Sequence, residues 1–236
     1  MRCPVFIVTG ATSGIGAAIT ARLAASQRRV LAVGRNTIAL DALRSRLGSL
    51  VEGHALDLCD EAALEEFAAR VAGDHPQLDG LVHCAGINLP ERLGAVTTAN
   101  LDHMLNLNFR APFLLTNRLV EPLAAAGGTL VFLNSSVGLR ATPGRSAYVA
   151  SKFALRGFAD AARLDLNERG VRVASIYPGR TATPGLAELV AGEGGHYDAD
   201  ALLQPEFVAD AVLGVIDAPA NAEITDIALR PRTKSY

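Results

Sequence analysis

Seven short apolar runs, rich in valine, isoleucine and leucine, constrain this chain more than any other feature: 4 to 8, 29 to 33, 50 to 56, 79 to 84, 129 to 133, 171 to 177 and 223 to 229. Runs of that length with few polar interruptions predict strands buried on both faces, as a parallel sheet requires. Between them, at 17 to 26, 36 to 47, 60 to 72, 99 to 124 and 148 to 168, apolar residues return every three or four positions, which predicts helices. The punctuation agrees: Asp60 precedes a helix with acids in its first turns, Gly170 stops another, and Pro178-Gly179 ends the sixth strand. Strict alternation makes right-handed crossovers, so the expected fold is α/β, a doubly wound parallel sheet with ligands at its carboxyl edge.

No long linker, low-complexity tract or fixed repeat divides the 236 residues, so 1–236 reads as a single domain of about seven strands. The irregular stretch is 184–204, with Pro184-Gly185, Gly192 and Gly194-Gly195; it predicts a substrate-binding flap. Half the residues are apolar, enough for a sizeable core. The formal charge of -2, without long runs of one sign, points away from nucleic acid and anionic membranes and toward a small-molecule partner. Cys3, Cys59 and Cys84 cannot all pair and form no C-x-x-C, and the five histidines lack metal-ligand spacing, so no metal site is predicted and a reducing cytoplasm fits. The apolar amino-terminal stretch is too short for a signal peptide or a membrane span and reads as a buried strand.

The first strand ends in Thr9-Gly10-Ala11-Thr12-Ser13-Gly14-Ile15-Gly16 and runs into a helix. Gly10 allows a sharp turn, Gly14 and Gly16 clear side chains from the approach of a pyrophosphate, and the helix amino end offers unpaired N–H groups to its charge. This makes the sheet Rossmann-type. The second strand ends at Val33-Gly34-Arg35-Asn36, where an acid would select the 2'-hydroxyl of NAD; Arg35 offers a guanidinium fork instead, so NADP(H) is the expected cofactor. Asp57-Leu58 can hold an adenine ring after strand three, and Asp57 can equally cap the helix that starts near Asp60; residue type leaves both open.

Tyr148 and Lys152 are four apart and therefore share a helix face. A phenol of pKa about 10 is a poor base at neutrality, but an adjacent ammonium and an oxidised nicotinamide both favour the phenolate. Asn134-Ser135-Ser136 puts hydroxyls at the carboxyl edge of strand five, where a substrate oxygen can be bound.

On these motifs the chain resembles the short-chain dehydrogenase/reductase family, in its compact form, over nearly its whole length. The likeness is carried by Thr9-Gly10-x-x-x-Gly14-Ile15-Gly16, Asp57-Leu58, Ala85-Gly86, Asn108, Ser135, Tyr148-x-x-x-Lys152, Pro178-Gly179 and Thr183. It implies that Ser135 polarises the substrate oxygen, Tyr148 exchanges its proton, Lys152 holds the nicotinamide ribose and lowers the tyrosine pKa, and Asn108 anchors a proton-relay water. The resemblance implies Ser135, because twelve residues separate it from Tyr148 as the family's pattern asks, with Ser136 the fallback. The implied cofactor contacts also take in Thr12, Ser13, Asn36 and Thr181. One departure is His83-Cys84-Ala85-Gly86 where the family has Asn-Asn-Ala-Gly, which removes a brace between strands four and five; Cys84 reads as a packing residue.

The expected activity is hydride transfer between the nicotinamide of NADP(H) and a carbonyl or secondary-alcohol carbon, as in a carbonyl reductase. Its rivals are a non-catalytic NADP(H) sensor and an epimerase or dehydratase using the cofactor transiently. Leu89, Arg140, Thr142, Arg145, Pro184, Leu186, Leu189 and Tyr197 are the expected pocket positions; their two arginines leave an acidic or polar carbonyl open. By analogy with the family's subunit-packing helices, a homodimer or homotetramer is expected.

Overall fold

The computed structural model describes residues 2–232; Met1 and 233–236, the ends of the predicted domain 1–236, lie outside the described residues. Seven strands form one parallel sheet in the order β3-β2-β1-β4-β5-β6-β7: β1 (Val5–Thr9), β2 (Arg29–Gly34), β3 (Val51–Ala55), β4 (Gly80–His83), β5 (Thr129–Leu133), β6 (Arg172–Pro178) and β7 (Asp226–Leu229). Every residue of β1, β4 and β5 is buried, which is why these strands read as unbroken apolar runs. At the edges the burden of burial falls: β3 exposes Glu52 and Gly53, and β7 only half-buries Ile227 and Leu229.

Alternate residues of each strand feed two cores. Ile7, Leu130 and Phe132 pack on one face beneath α3 (Glu61–Asp74), α5 (Ala111–Ala126) and α6 (Ser146–Asn167). Val8, Val131 and Leu133 pack on the other beneath α1 (Gly14–Ala25), α2 (Thr37–Leu47) and α8 (Pro205–Ile216). Each large apolar side chain buried this way contributes about 1.5–3 kcal/mol. Strand order reverses between β1 and β4, so the crevice that the doubly wound fold reserves for a ligand opens there.

The structure departs from the sequence-based expectations in four places. The single helix expected over 99 to 124 is α4 (Thr98–Leu105), a π-helical turn at Asn106–Arg110, and α5. The stretch 184–204 is not irregular throughout: Pro184–Gly192 is a helix, α7, because the Thr183 hydroxyl accepts the Leu186 N–H and Pro184 fixes φ at the first helical position. Pro205–Ile216 is a helix that apolar periodicity did not single out, because Phe207, Val208, Ala209, Val212, Val215 and Ile216 crowd it with apolar positions. Finally, β7 begins only at Asp226; upstream, the Glu223 carboxylate takes the Val173 N–H at 2.7 Å in place of a backbone carbonyl. Among the described residues no helix is long and apolar enough to cross a membrane.

Candidate active site

The turn after β1 is packed backbone against backbone. A Cβ on Gly16 would lie 2.2 Å from the Gly10 carbonyl oxygen, and one on Gly10 would lie 2.8 Å from Cα of Ala85. One on Gly14 would meet the Thr183 methyl at 2.8 Å, and both Gly10 (φ +67) and Gly14 (φ +50) adopt backbone that side chains disfavour. Three strand-to-helix loops, carrying Gly10 to Gly16, Ala85-Gly86 and Thr183, therefore converge. Ser13 stands at the N-cap of α1 yet makes no side-chain cap bond, so the first N–H groups of that helix have no side-chain partner, an arrangement suited to a phosphate.

At the far end of the crevice the Thr12 methyl fills the space that Gly34 leaves, where a Cβ would come within 2.7 Å. Arg35 follows on the surface, and no carboxylate among the described residues pairs with it. Asn36 caps α2 through the Ala39 N–H at 3.0 Å, so its side chain is already engaged. Asp60, not Asp57, caps α3. Asp57 instead takes the Cys59 N–H at 2.9 Å, beside the buried Leu58. Gly34 pairs with Ala55 and its carbonyl takes the Leu56 N–H, so Arg35 and Asp57 leave the ends of neighbouring strands; burial pushes the Cys59 thiol up, Asp57 adds to that and Arg35 opposes it. A free guanidinium, a carboxylate and an apolar ledge at one end, and bare N–H groups at the other, fit an adenosine 2'-phosphate and a pyrophosphate.

Between these ends lies a tethered Tyr–Lys pair. Lys152 is 4% exposed; its ammonium donates to the Leu133 carbonyl at 3.1 Å and sits 5.9 Å from the centre of the Tyr148 ring. Asn108, fully buried in the π-helical turn, donates to the Ile87 carbonyl and the Ser151 hydroxyl, each at 2.9 Å, and accepts the Ile87 N–H at 2.8 Å. Ser151 in turn donates to the Tyr148 carbonyl at 2.8 Å. Asn134 donates to the Lys152 carbonyl at 3.1 Å and accepts the Ser135 N–H at 2.9 Å. The backbone of both Tyr148 and Lys152 is thus pinned from below, by one asparagine each.

Ser135 is half-buried at the end of β5, its hydroxyl accepting the Val137 N–H at 3.3 Å, whereas Ser136 is exposed in the next turn. Burial pushes the Tyr148 phenol above its ordinary value, and Ser135 and then Arg145 pull it back. The structure displays no Lys152–phenol hydrogen bond: that ammonium donates to the Leu133 carbonyl, and burial drops its own pKa to about 8. Nor does the Asn108 side chain keep a donor for a water, because both of its N–H groups are taken.

A lysine held in this state weakens the fold at neutral pH. Its folded pKa lies below the unfolded value, so stability is lowest where both states are protonated, below about pH 8, and recovers as pH rises toward about 10.5. We expect Lys152→Met to stabilise the cofactor-free protein by on the order of 1–3 kcal/mol at pH 7, with the advantage shrinking by pH 10. Urea melts at both values check this; a destabilised variant at pH 7 would contradict it.

Residues 4–194 match the family model for short chain dehydrogenases. The chain belongs to the short-chain dehydrogenase family. This short-chain dehydrogenase is 34% identical over 235 residues to the uncharacterized short-chain type dehydrogenase/reductase y4eK of Sinorhizobium fredii, covering 98% of this chain and 92% of that one. It is 29% identical to the NADP-dependent 3-hydroxy acid dehydrogenase YdfG of Salmonella typhi, with 98% and 96% covered. The solved structure of a metagenomic short-chain oxidoreductase in complex with NADP superposes with a TM-score of 0.83 at 29% identity, 98% of each chain covered. The chain is an oxidoreductase with the Rossmann-like fold of that family.

Within this short-chain dehydrogenase two of the expected positions, Thr181 and Asn36, also hold the fold together. Thr181 is buried, its hydroxyl bonded to the Gly179 carbonyl at 3.1 Å and its backbone paired with Leu203, so it braces the loop that Pro178-Gly179 begins. Asn36, as described, serves α2. His83 restores part of the brace that the departure from Asn-Asn-Ala-Gly removes: it is buried, bonds the Thr116 hydroxyl at 2.8 Å and stacks on Phe132, with its pKa pushed down to about 3. The Thr9 hydroxyl accepts the N–H groups of Cys84 and Ala85, tying β1 to β4, and burial pushes the Cys84 thiol up to about 12, which makes it a packing group. Asn134 and Ser151, which hold the backbone of Lys152 and Tyr148, are positions that residue type alone did not reveal.

Proposed function

We propose that this chain, as one domain over 1–236, is an NADP(H)-dependent carbonyl reductase or alcohol dehydrogenase for a small-molecule carbonyl or secondary alcohol. The observation that carries the proposal is the Tyr148 ring with the Lys152 ammonium 5.9 Å from its centre, one turn on, and Ser135 at the end of β5, at the edge where three loops meet. The bound cofactor would be held by the turn from Gly10 through Thr12, Ser13, Gly14, Ile15 and Gly16, by Arg35, by Asp57 and Leu58, and by Ala85, Gly86, Pro178, Gly179 and Thr183, with Lys152 on the nicotinamide ribose. The nicotinamide supplies the hydride in reduction and accepts it in oxidation. Ser135 donates a hydrogen bond to the substrate oxygen, and Tyr148 gives that same oxygen a proton in reduction and removes it in oxidation. Asn108 is a positioning residue, acting through Ile87 and through Ser151 on the Tyr148 carbonyl.

NADP(H) over NAD(H) is supported by the unpaired Arg35 and by the NADP named for YdfG and for the metagenomic oxidoreductase. A guanidinium on a phosphate is a charge-assisted bond, so Arg35→Ala is expected to raise KM for NADPH by about ten- to a hundredfold while moving KM for NADH by less than twofold. Equal effects on the two cofactors would contradict the assignment. We read α5 and α6 as subunit-packing helices of a homodimer or homotetramer, supported by Phe113, Phe153 and Leu164 standing exposed on them; sedimentation as a monomer would overturn this. Cytoplasmic residence belongs to the same proposal, supported by three free cysteines.

A further inference from the structure

Arg145 occupies the N-cap position of α6, three residues before Tyr148. A cation there opposes the helix dipole, and its side chain makes no cap bond, so α6 gains nothing from it. The side chain is nevertheless held at only 18% exposure, donating to the Glu193 carboxylate at 2.6 Å. Glu193 comes from the far end of another helix, the C-cap of α7, next to Gly194 at φ +68. A second guanidinium faces the same carboxylate: Arg180, the residue after Gly179, lies 3.9 Å from its other oxygen, beyond hydrogen-bond reach. One carboxylate thus stands between two arginines, leaving a net positive charge beside the end of α6 that carries Tyr148. The effect of Arg145 on the Tyr148 phenol is consistent with that nearness.

We propose that Arg145 and Arg180 recognise a carboxylate carried by the substrate, and that Glu193 occupies that carboxylate's place until the substrate displaces it. This rests on the reductase proposal and names its substrate class: oxo acids and the corresponding hydroxy acids, bound through the acid group while the carbonyl meets Ser135 and Tyr148. The guanidinium fork matches a carboxylate in two parallel bonds, which the present Arg180 distance leaves unmade. Glu193 acts as an internal competitor on the loop that ends α7.

The test pairs short oxo acids, with the carbonyl at the second, third or fourth carbon, with their methyl esters, following NADPH consumption. At least one acid should exceed its ester tenfold or more in kcat/KM, chiefly through KM. Arg145→Gln, Arg145→Ala and Arg180→Ala should each cut that acid-to-ester ratio about tenfold or more, with circular dichroism verifying the fold. Glu193→Gln should lower KM for the acid severalfold, which a purely structural ion pair would not do. Esters matching acids throughout, a ratio untouched by the arginine variants, or a raised acid KM in Glu193→Gln would each overturn the proposal. If no carbonyl consumes NADPH, the reductase proposal fails by itself; calorimetry on the protein mixed with NADP+ then decides the anion site, upheld by tighter binding of acid than ester and overturned by equal binding.

Discussion

Tyr148→Phe should lower kcat for carbonyl reduction by on the order of a hundredfold or more, with little change in the binding of NADPH. The substitution removes one oxygen from a ring whose backbone is fixed independently, through Ser151 and Asn108, so the helix should not move. What goes is the group proposed to give the substrate oxygen a proton; in that proposal Ser135 keeps its hydrogen bond but gives no net proton. The loss should appear in kcat and kcat/KM alike, as for an interaction made chiefly in the transition state. Steady-state kinetics with a reducible ketone or aldehyde checks this, and near-native turnover would refute the role given to Tyr148.

Gly16→Ala should be the most damaging single methyl in the chain. Its Cβ would stand 2.2 Å from the Gly10 carbonyl oxygen, and that contact is backbone, so no rotamer can relieve it. The turn must open, which moves the amino end of α1 away from the phosphate it is built to meet. We expect a loss of about 3 kcal/mol, read as a Tm lower by roughly 10 °C, and cofactor affinity weakened at least tenfold. Gly73→Ala is the control: nothing lies within 4 Å of its Cβ, and an exposed helical glycine changed to alanine should be neutral or stabilise by about 0.5–1 kcal/mol. Thermal melts that fail to separate the two variants would contradict this account of the turn.

The parts of the fold legible in the sequence were those whose physics is local. β1, β4 and β5 are buried on every residue, so their composition alone marked them, and Gly10, Gly14 and Gly16 announced a turn that side chains could not make. α7 was hidden because Pro184, Gly192 and Gly194 read as breakers; the cap that makes Pro184 a first helical residue depends on Thr183 turning its hydroxyl inward. α8 was hidden by excess, since too many of its positions are apolar for a stripe to stand out. The π-helical turn that buries Asn108 is a change of hydrogen-bond register that no residue type announces.

The candidate site divides the same way. Tyr148 and Lys152 share a helix face by spacing, and the family resemblance preferred Ser135 to Ser136 by its distance along the chain from Tyr148. Asn134 and Ser151 escaped because their role lies in which carbonyl comes within reach, Lys152 for one and Tyr148 for the other, and that is a property of the packed sheet edge. Burial was likewise not legible: it pushes the Tyr148 phenol up and the Lys152 ammonium down to about 8, and the bond from Lys152 to the Leu133 carbonyl depends on the packed sheet edge.

The measurement that bears most directly on the central claim is the stoichiometry of NADPH consumption against alcohol formed, in a screen of ketones, aldehydes and oxo acids. A reductase built on Tyr148, Ser135 and Lys152 should consume one NADPH for each alcohol produced and run backwards with NADP+ and that alcohol. Substrate converted without net NADPH consumption, or cofactor bound with no carbonyl reduced, would contradict it.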